Sequence, residues 1–117
     1  MGITYIDGVA RGPTGIERYV HFLIDSGATY SLLPSFTWQE IGLEPKRKQS
    51  FRLTDGTVIQ RRISECFVSL PQGDTHTPVI LGEPGDEALL GVVTFEELGL
   101  VFHPFSRTLQ PMRMMLA

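Results

Sequence analysis

The chain has very little cysteine: Cys66 is the single one among 117 residues. It cannot form an intramolecular disulfide, so core packing must stabilise the fold, and a partner subunit would add to that stability. Because Cys66 lies in a run that alternates like a β-strand, we expect a buried structural thiol.

Long apolar runs are also missing. No stretch approaches the roughly 18 apolar residues that a membrane span requires. The N-terminus has no basic segment followed by an apolar one, which a secretion signal would show. We therefore expect no membrane partner and a cytoplasmic location.

Positive charge is scarce, with 10 Lys and Arg against 13 Asp and Glu and a formal net charge of -3. The basic residues are scattered, apart from Lys46 to Lys48 and the pair Arg61-Arg62. Such small groups are typical of a solvated loop and a solvated strand face. We predict no nucleic-acid partner.

The chemistry of metal sites and of serine nucleophiles has little support. His21, His76 and His103 are isolated and have no spaced cysteine or carboxylate set around them. Neither Ser26 nor Ser31 lies in a recognisable nucleophile elbow. We predict no metal and no other cofactor.

The remaining composition, 42% hydrophobic and 20% charged, is that of a globular protein. At this length the chain fits one domain, residues 1–117. Short apolar runs of period two, separated by turn residues, predict an all-β fold. The predicted strands are 3–10, 16–24, 29–33, 51–53, 58–70, 77–81 and a final hairpin of 100–102 with 108–110.

Three further segments have their own patterns. Residues 35–41 predict a brief helical turn, and residues 44–50 a basic loop. Val92, Phe95 and Leu98 recur at helical spacing and predict a short amphipathic helix, with Thr94, Glu96 and Glu97 on its exposed face.

Asp55-Gly56 stands between two strand-like segments and is a strong hairpin signal. A type I′ turn, which needs positive φ at both central residues, would suit this pair.

Asp25-Ser26-Gly27 follows an apolar strand directly, so the carboxylate lies where burial disfavours its ionisation. These residue types also form ordinary turns, which leaves a capping aspartate open as an alternative. The second half of the chain echoes this segment as Leu89-Leu90-Gly91, with Leu89 in the place of Asp25. Only one half carries an acid.

The ordered set of Leu23-Ile24-Asp25-Ser26-Gly27-Ala28-Thr29, an Asp-Gly hairpin, and Leu89-Leu90-Gly91 before a helix resembles the retropepsin family of retroviral-type aspartic proteases. The segment 90–100 is similar to the end of small prokaryotic members. The resemblance implies a closed acid-protease barrel with one short helix in the C-terminal half. It also implies a homodimer in which the apolar tail, 109–117, helps to build an intersubunit sheet.

Site residues follow from the same resemblance. Asp25 would be the catalytic acid, with Ser26 cross-linking two active-site loops, Gly27 permitting the tight loop, and Ala28 and Thr29 completing it. The flap would be Thr54, Asp55, Gly56 and Thr57, for which a plain exposed turn is the alternative. Substrate pockets would be lined by Leu23, Ala28 and Leu89, although Leu23 and Leu89 could equally be core residues.

The implied activity is that of an aspartic endopeptidase acting on extended, hydrophobic peptide segments. One carboxylate must take a proton from water while another protonates the scissile carbonyl. The chain offers a single suitable acid, so a twofold-related partner would supply the second as Asp25 of its own. The alternative is a retropepsin-fold module that binds peptides or assembles complexes without cleaving them.

Overall fold

The computed structural model describes residues 3–116, which form nine strands and two short helices. The strands are β1 (Tyr5–Arg11), β2 (Glu17–Ile24), β3 (Ser31–Leu33), β4 (Arg47–Arg52), β5 (Val58–Leu70), β6 (Gly73–Leu81), β7 (Leu89–Leu90), β8 (Leu100–His103) and β9 (Thr108–Pro111), and the helices are α1 (Ser35–Glu40) and α2 (Val92–Glu97). No helix in this part of the chain is long and apolar enough to cross a membrane.

Seven strands form one sheet in the order β1-β2-β7-β3-β6-β5-β4, and β1 pairs additionally with β5. The pairs β2–β7 and β3–β6 are parallel, and the other pairings are antiparallel. Strands β8 and β9 make a separate hairpin at the predicted place. The fold is thus mostly β, as expected, while a closed barrel stays a prediction.

Two short helices are present where the resemblance implied one. Helix α2 lies in the C-terminal half as expected, and the helical turn predicted for 35–41 is a helix, α1, of six residues, as long as α2. Pro34 precedes α1, and the helix turns Thr37 and Trp38 into the protein. The indole Nε1 of Trp38 donates a hydrogen bond to the carbonyl of Gly82 at 2.8 Å. This contact anchors α1 to the loop after β6.

The core consists of the inward residues of the strands together with both helices. In β5, alternate residues from Ser64 to Leu70 are buried, while those nearer the hairpin tip, such as Gln60, are exposed. Cys66 is 3% exposed, and burial raises the pKa of its thiol to about 12. It is therefore a structural thiol.

Two strand boundaries differ most from the predicted ones. The segment predicted as the basic loop 44–50 becomes strand from Arg47 onward, since it pairs with β5 from Arg47–Ile63 to Arg52–Val58. Strand β6 begins at Gly73 rather than at Thr77, because it continues its pairing with β5 as far as Leu70. In both cases pairing with β5 brings polar residues into a strand, although these residues have no alternating apolar pattern of their own.

The Asp55-Gly56 hairpin is present, but its turn is not type I′. Gly56 has φ of +89°, whereas Asp55 has no positive φ. The Gly56 N–H donates to the Leu53 carbonyl at 2.9 Å, and the Leu53 N–H donates to the Thr57 carbonyl at 2.7 Å. This is a three-residue loop with glycine in the left-handed position. The Asp55 carboxylate accepts the Thr57 N–H at 2.8 Å, which favours this turn over the tighter one.

Thr94 lies on the buried side of α2, and the prediction that it is exposed is wrong. Helical spacing assigned only apolar residues to the core, but α2 packs against β3 and β6, which present hydroxyls. The Thr94 hydroxyl lies 2.5 Å from that of Ser31 and 2.8 Å from that of Thr77. The Ser31 hydroxyl also accepts the Gly91 N–H at 3.0 Å. This hydroxyl cluster of Ser31, Thr77 and Thr94 joins three elements inside the core.

We expect Thr94→Val, which keeps the shape of the side chain, to lower the free energy of unfolding by about 1–3 kcal/mol. The substitution leaves two buried hydroxyls short of a partner. Urea unfolding at fixed protein concentration measures the change, and Thr14→Val, at an exposed turn position, is the control. Equal losses for the two variants would contradict the role of the hydroxyl cluster.

Candidate active site

Asp25 directly follows β2, at the point where β2 runs parallel to β7. The register pairs Leu23 with Leu89 and Ile24 with Leu90. The Asp25 N–H donates to the Leu90 carbonyl at 3.1 Å, which extends the pairing by one residue. The backbone of Asp25 is therefore held by the sheet, while its side chain is half-buried.

The loop after Asp25 closes on the carboxylate itself. The Gly27 N–H donates to Oδ1 of Asp25 at 2.9 Å, and the Ala28 N–H donates to the Asp25 carbonyl at 3.1 Å. Gly27 has no positive φ, so the backbone conformation does not require glycine at this position. A Cβ at this position would lie 3.3 Å from Oδ1 of Asp25 and would crowd the carboxylate.

The loop that joins β2 to β3, residues 25–30, is the candidate active-site loop. It is attached to the start of α2. The Val92 N–H donates to the Ala28 carbonyl at 2.8 Å, and the Val93 N–H donates to the Thr29 carbonyl at 3.0 Å. The first N–H groups of a helix have no partner within it, so the loop satisfies two of them. Ala28 and Thr29 support the loop through their backbone carbonyls.

A cleft of about 880 Å³ separates the active-site loop from the β4–β5 hairpin. On one side lie Asp25, the loop after it and Leu89, and on the other lie residues of β4 and β5 and the hairpin tip. Of the predicted site residues, the cleft is lined by Asp25, Gly27, Ala28, Thr29, Thr54, Asp55 and Leu89.

The other predicted site residues lie nearby but do not line this cleft. Leu23 is half-buried beside Leu89, and Ser26 is exposed next to Asp25. Gly56 and Thr57 complete the hairpin turn. The functional roles of these residues stay predictions.

Several residues of the cleft were missed by the sequence analysis. Tyr30 accepts a hydrogen bond at its hydroxyl from Nη2 of Arg47 at 3.1 Å, and its ring meets the Phe51 ring edge-on at 6.0 Å between centroids. These contacts join the active-site loop to β4. Arg61 and Asp86 also line the cleft. Only the alternation within β4 and β5, combined with their register, could have pointed to Phe51 and Arg61.

Metal chemistry has no site in the described region. Within residues 3–116, no group of three or more His, Cys, Asp or Glu side chains is placed to hold a metal ion. The chemistry available in the cleft is that of carboxylates, chiefly Asp25, with backbone N–H donors.

Solved structures of other proteins resemble this chain over most of its length, among them two proteases. The protease of simian foamy virus (mac), 17% identical, matches with a TM-score of 0.53 over 75% of this chain and 87% of its own. A retropepsin-like aspartic protease from Rickettsia conorii, 20% identical, matches with a TM-score of 0.55 over 92% of this chain and 88% of its own. At this identity the likeness concerns the fold.

Comparison with curated proteins gives no match. Comparison with protein families matches residues 16–97 to the family described as "gag-polyprotein putative aspartyl protease". That range contains Asp25 and its loop, the β4–β5 hairpin, β7 and α2. The chain therefore belongs to this gag-type aspartyl protease family and has the fold of a small retropepsin-like protease.

Proposed function

We propose that the protein is an aspartic endopeptidase whose catalytic pair consists of Asp25 from each of two identical subunits. One observation carries the proposal: the Asp25 carboxylate lies in a large cleft and is oriented by the Gly27 N–H, on a loop fixed to β7 and α2. A capping role alone would explain the hydrogen bond to the Gly27 N–H, but it would not explain the position of the carboxylate in a cleft.

In the proposed reaction the two carboxylates share one proton, because two negative charges in close contact repel each other. The ionised carboxylate takes a proton from a water molecule, whose oxygen attacks the scissile carbonyl carbon. The protonated carboxyl donates its proton to the carbonyl oxygen, which gives a tetrahedral diol. The carboxyl that took the proton from water then gives it to the nitrogen, while the other carboxylate takes a proton from one diol hydroxyl. The C–N bond breaks, a carboxylic acid and an amine leave, and the pair again holds one proton.

The acidic residues that line the cleft support the proposal of a second subunit. Asp55 lies on the hairpin tip, and Asp86 accepts the Glu83 N–H at 2.8 Å as part of its own turn. Asp25 is thus the acid suited to catalysis. Exposed apolar residues near both ends of the described chain support an intersubunit sheet: Ile3, Met114, Met115 and Leu116. Exposed Ser26 would then face its counterpart.

The proposed substrate is an extended peptide with hydrophobic side chains beside the scissile bond. Ala28, Leu32 and Leu89 give the floor of the cleft an apolar surface. The β4–β5 hairpin, as the flap, would cover the peptide and exclude water.

Replacement of Asp25 by Asn should lower peptide cleavage by roughly 100- to 10,000-fold, because the pair loses the group that accepts the proton from water. A peptide library assayed between about pH 3 and 8, with and without pepstatin, measures the loss. Glu97→Gln, at an exposed position of α2, is the matched control and should keep full activity.

Pepstatin-insensitive cleavage, or cleavage retained by Asp25→Asn, would contradict the proposal. Binding of peptides by a confirmed dimer without any cleavage would instead identify a peptide-binding module.

Dilution should reduce the specific activity. Below the dissociation constant of the dimer, the amount of active dimer falls with the square of the protein concentration. Tenfold dilution therefore lowers the total cleavage rate by roughly 100-fold and the specific activity by roughly tenfold. Initial rates over a dilution series, read beside sedimentation velocity, test this. Constant specific activity of a protein that sediments as a monomer would overturn the shared catalytic pair.

The turn of the proposed flap contains a carboxyl group with a lowered pKa, that of Asp55. Hydrogen bonds from the Thr57 side chain and from its backbone N–H lower the pKa of the Asp55 carboxyl below its ordinary 3.8. A folded-state pKa that is depressed means that the turn is fully stabilised above the unfolded value and loses this support as pH falls through the folded one. The turn should therefore stay formed at mildly acidic pH.

We expect Asp55→Ala to raise KM severalfold, whereas Asp55→Asn, which can accept the same N–H, should stay close to the wild type. KM measured at about pH 6 distinguishes them. A backbone NMR titration should show the Thr57 amide shifting with a midpoint below 3.8. Equal KM values for the two variants would show that this hydrogen bond does not position the flap.

A further inference from the structure

The inner face of the β4–β5 hairpin carries a cation in the cleft. Because side chains alternate along a strand, the paired positions Gln49–Arg61 and Phe51–Ile59 point to the same side of the hairpin. All four of these residues line the cleft. Arg61 therefore faces the space that a bound peptide would occupy.

The Arg61 guanidinium has unused hydrogen-bond donors. Its side chain is only 21% exposed, yet its contacts within residues 3–116 are few. Nη1 donates to the Gln60 carbonyl at 3.3 Å and lies 3.6 Å from Oε2 of Glu83. Nε and Nη2 have no partner among these residues. A cation that is partly exposed in the cleft and has free donors suits an anionic ligand, since a guanidinium can bind a carboxylate through two parallel hydrogen bonds.

Gln49 adds a second donor beside Arg61. Its Oε1 accepts a hydrogen bond from Nη1 of Arg47 at 2.8 Å, which fixes the orientation of the amide. The amide nitrogen of Gln49 is therefore left to donate. Arg47 is itself held by the Tyr30 hydroxyl at 3.1 Å, so the orientation of Gln49 is linked to the active-site loop.

The carboxylates near Arg61 do not fill this site. Glu83 is 61% exposed and reaches only Nη1, without a hydrogen bond. Asp86 accepts the Glu83 N–H and serves the turn that follows β6. Neither contacts Nε or Nη2 of Arg61.

We propose that Arg61 and Gln49 form a subsite that binds the carboxylate of an Asp or Glu side chain in the peptide. The protein would then select segments in which an acidic residue lies near the hydrophobic residues of the scissile bond. This inference rests on the proposed function for its substrate class, but it concerns recognition and can be measured without cleavage.

The test uses fluorescent peptides with a hydrophobic pair at the centre and with Glu, Gln or Lys placed in turn at each flanking position. Binding is measured by anisotropy on the full-length Asp25→Asn protein, which cannot turn the peptides over under the proposed mechanism. Arg61→Gln, Arg61→Lys and Arg61→Glu are made in this background. Lys48→Gln removes the same charge from the outer face of the same hairpin and is the matched control.

At one flanking position we expect Glu to bind about tenfold more tightly than Gln, as a charge-assisted bidentate contact would give. Arg61→Gln should reduce this ratio to within about twofold, Arg61→Lys should keep part of it, and Arg61→Glu should reverse it in favour of Lys. Lys48→Gln should leave the ratio unchanged.

The subsite is overturned if no position prefers Glu, if no peptide binds, or if the preference survives in Arg61→Gln. Cleavage by the wild type, assayed with the same peptides, is an independent readout. Cleavage without a preference for Glu would refute the subsite and support the proposed function. Preferential binding without cleavage by the wild type would do the reverse.

Discussion

The candidate active site depends on the close approach of two backbone segments, the one around Tyr30 and the one at Gly91. A Cβ on Gly91 would lie 2.5 Å from the carbonyl carbon of Tyr30, so any larger residue there would push the segments apart. This contact allows Val92 and Val93 to bind the loop carbonyls and brings Ser31 within reach of Thr94. The loop that carries Asp25 and the start of α2 are therefore one packed unit.

Sequence reasoning predicted the parts of the fold in which local pattern and tertiary packing agree. Strand β5 has one face that changes from polar to apolar, and its burial follows that change. The first part of β4 and the start of β6 escaped prediction because their pairing with β5 brings polar residues into strands. Thr94 escaped for a related reason: its burial requires hydroxyls from two strands that lie far away in sequence.

The residues of the candidate site also fall into those that the sequence predicted and those that it missed. Asp25 and Gly27 lie two positions apart in sequence and could be recognised as one motif, and the structure joins them by a hydrogen bond. The Asp55-Gly56 segment was predicted as a hairpin, but its turn type depends on the hydrogen bond between Asp55 and Thr57. Arg61 was assigned with Arg62 to a solvated strand face, because its place in the cleft depends on the register of β4 against β5. Sequence reasoning misses residues whose place in a cleft depends on the register between two strands.

The central claim is that one Asp25 is insufficient and that each active site needs two. Mixing wild-type protein with a tenfold excess of Asp25→Asn tests this most directly, because the subunits exchange and most wild-type chains then pair with an inactive one. The account predicts that pepstatin-sensitive activity falls to roughly a tenth, the chance that a wild-type chain finds another. Activity that stays at the level of the unmixed wild type, after exchange is verified with labelled subunits, would contradict it.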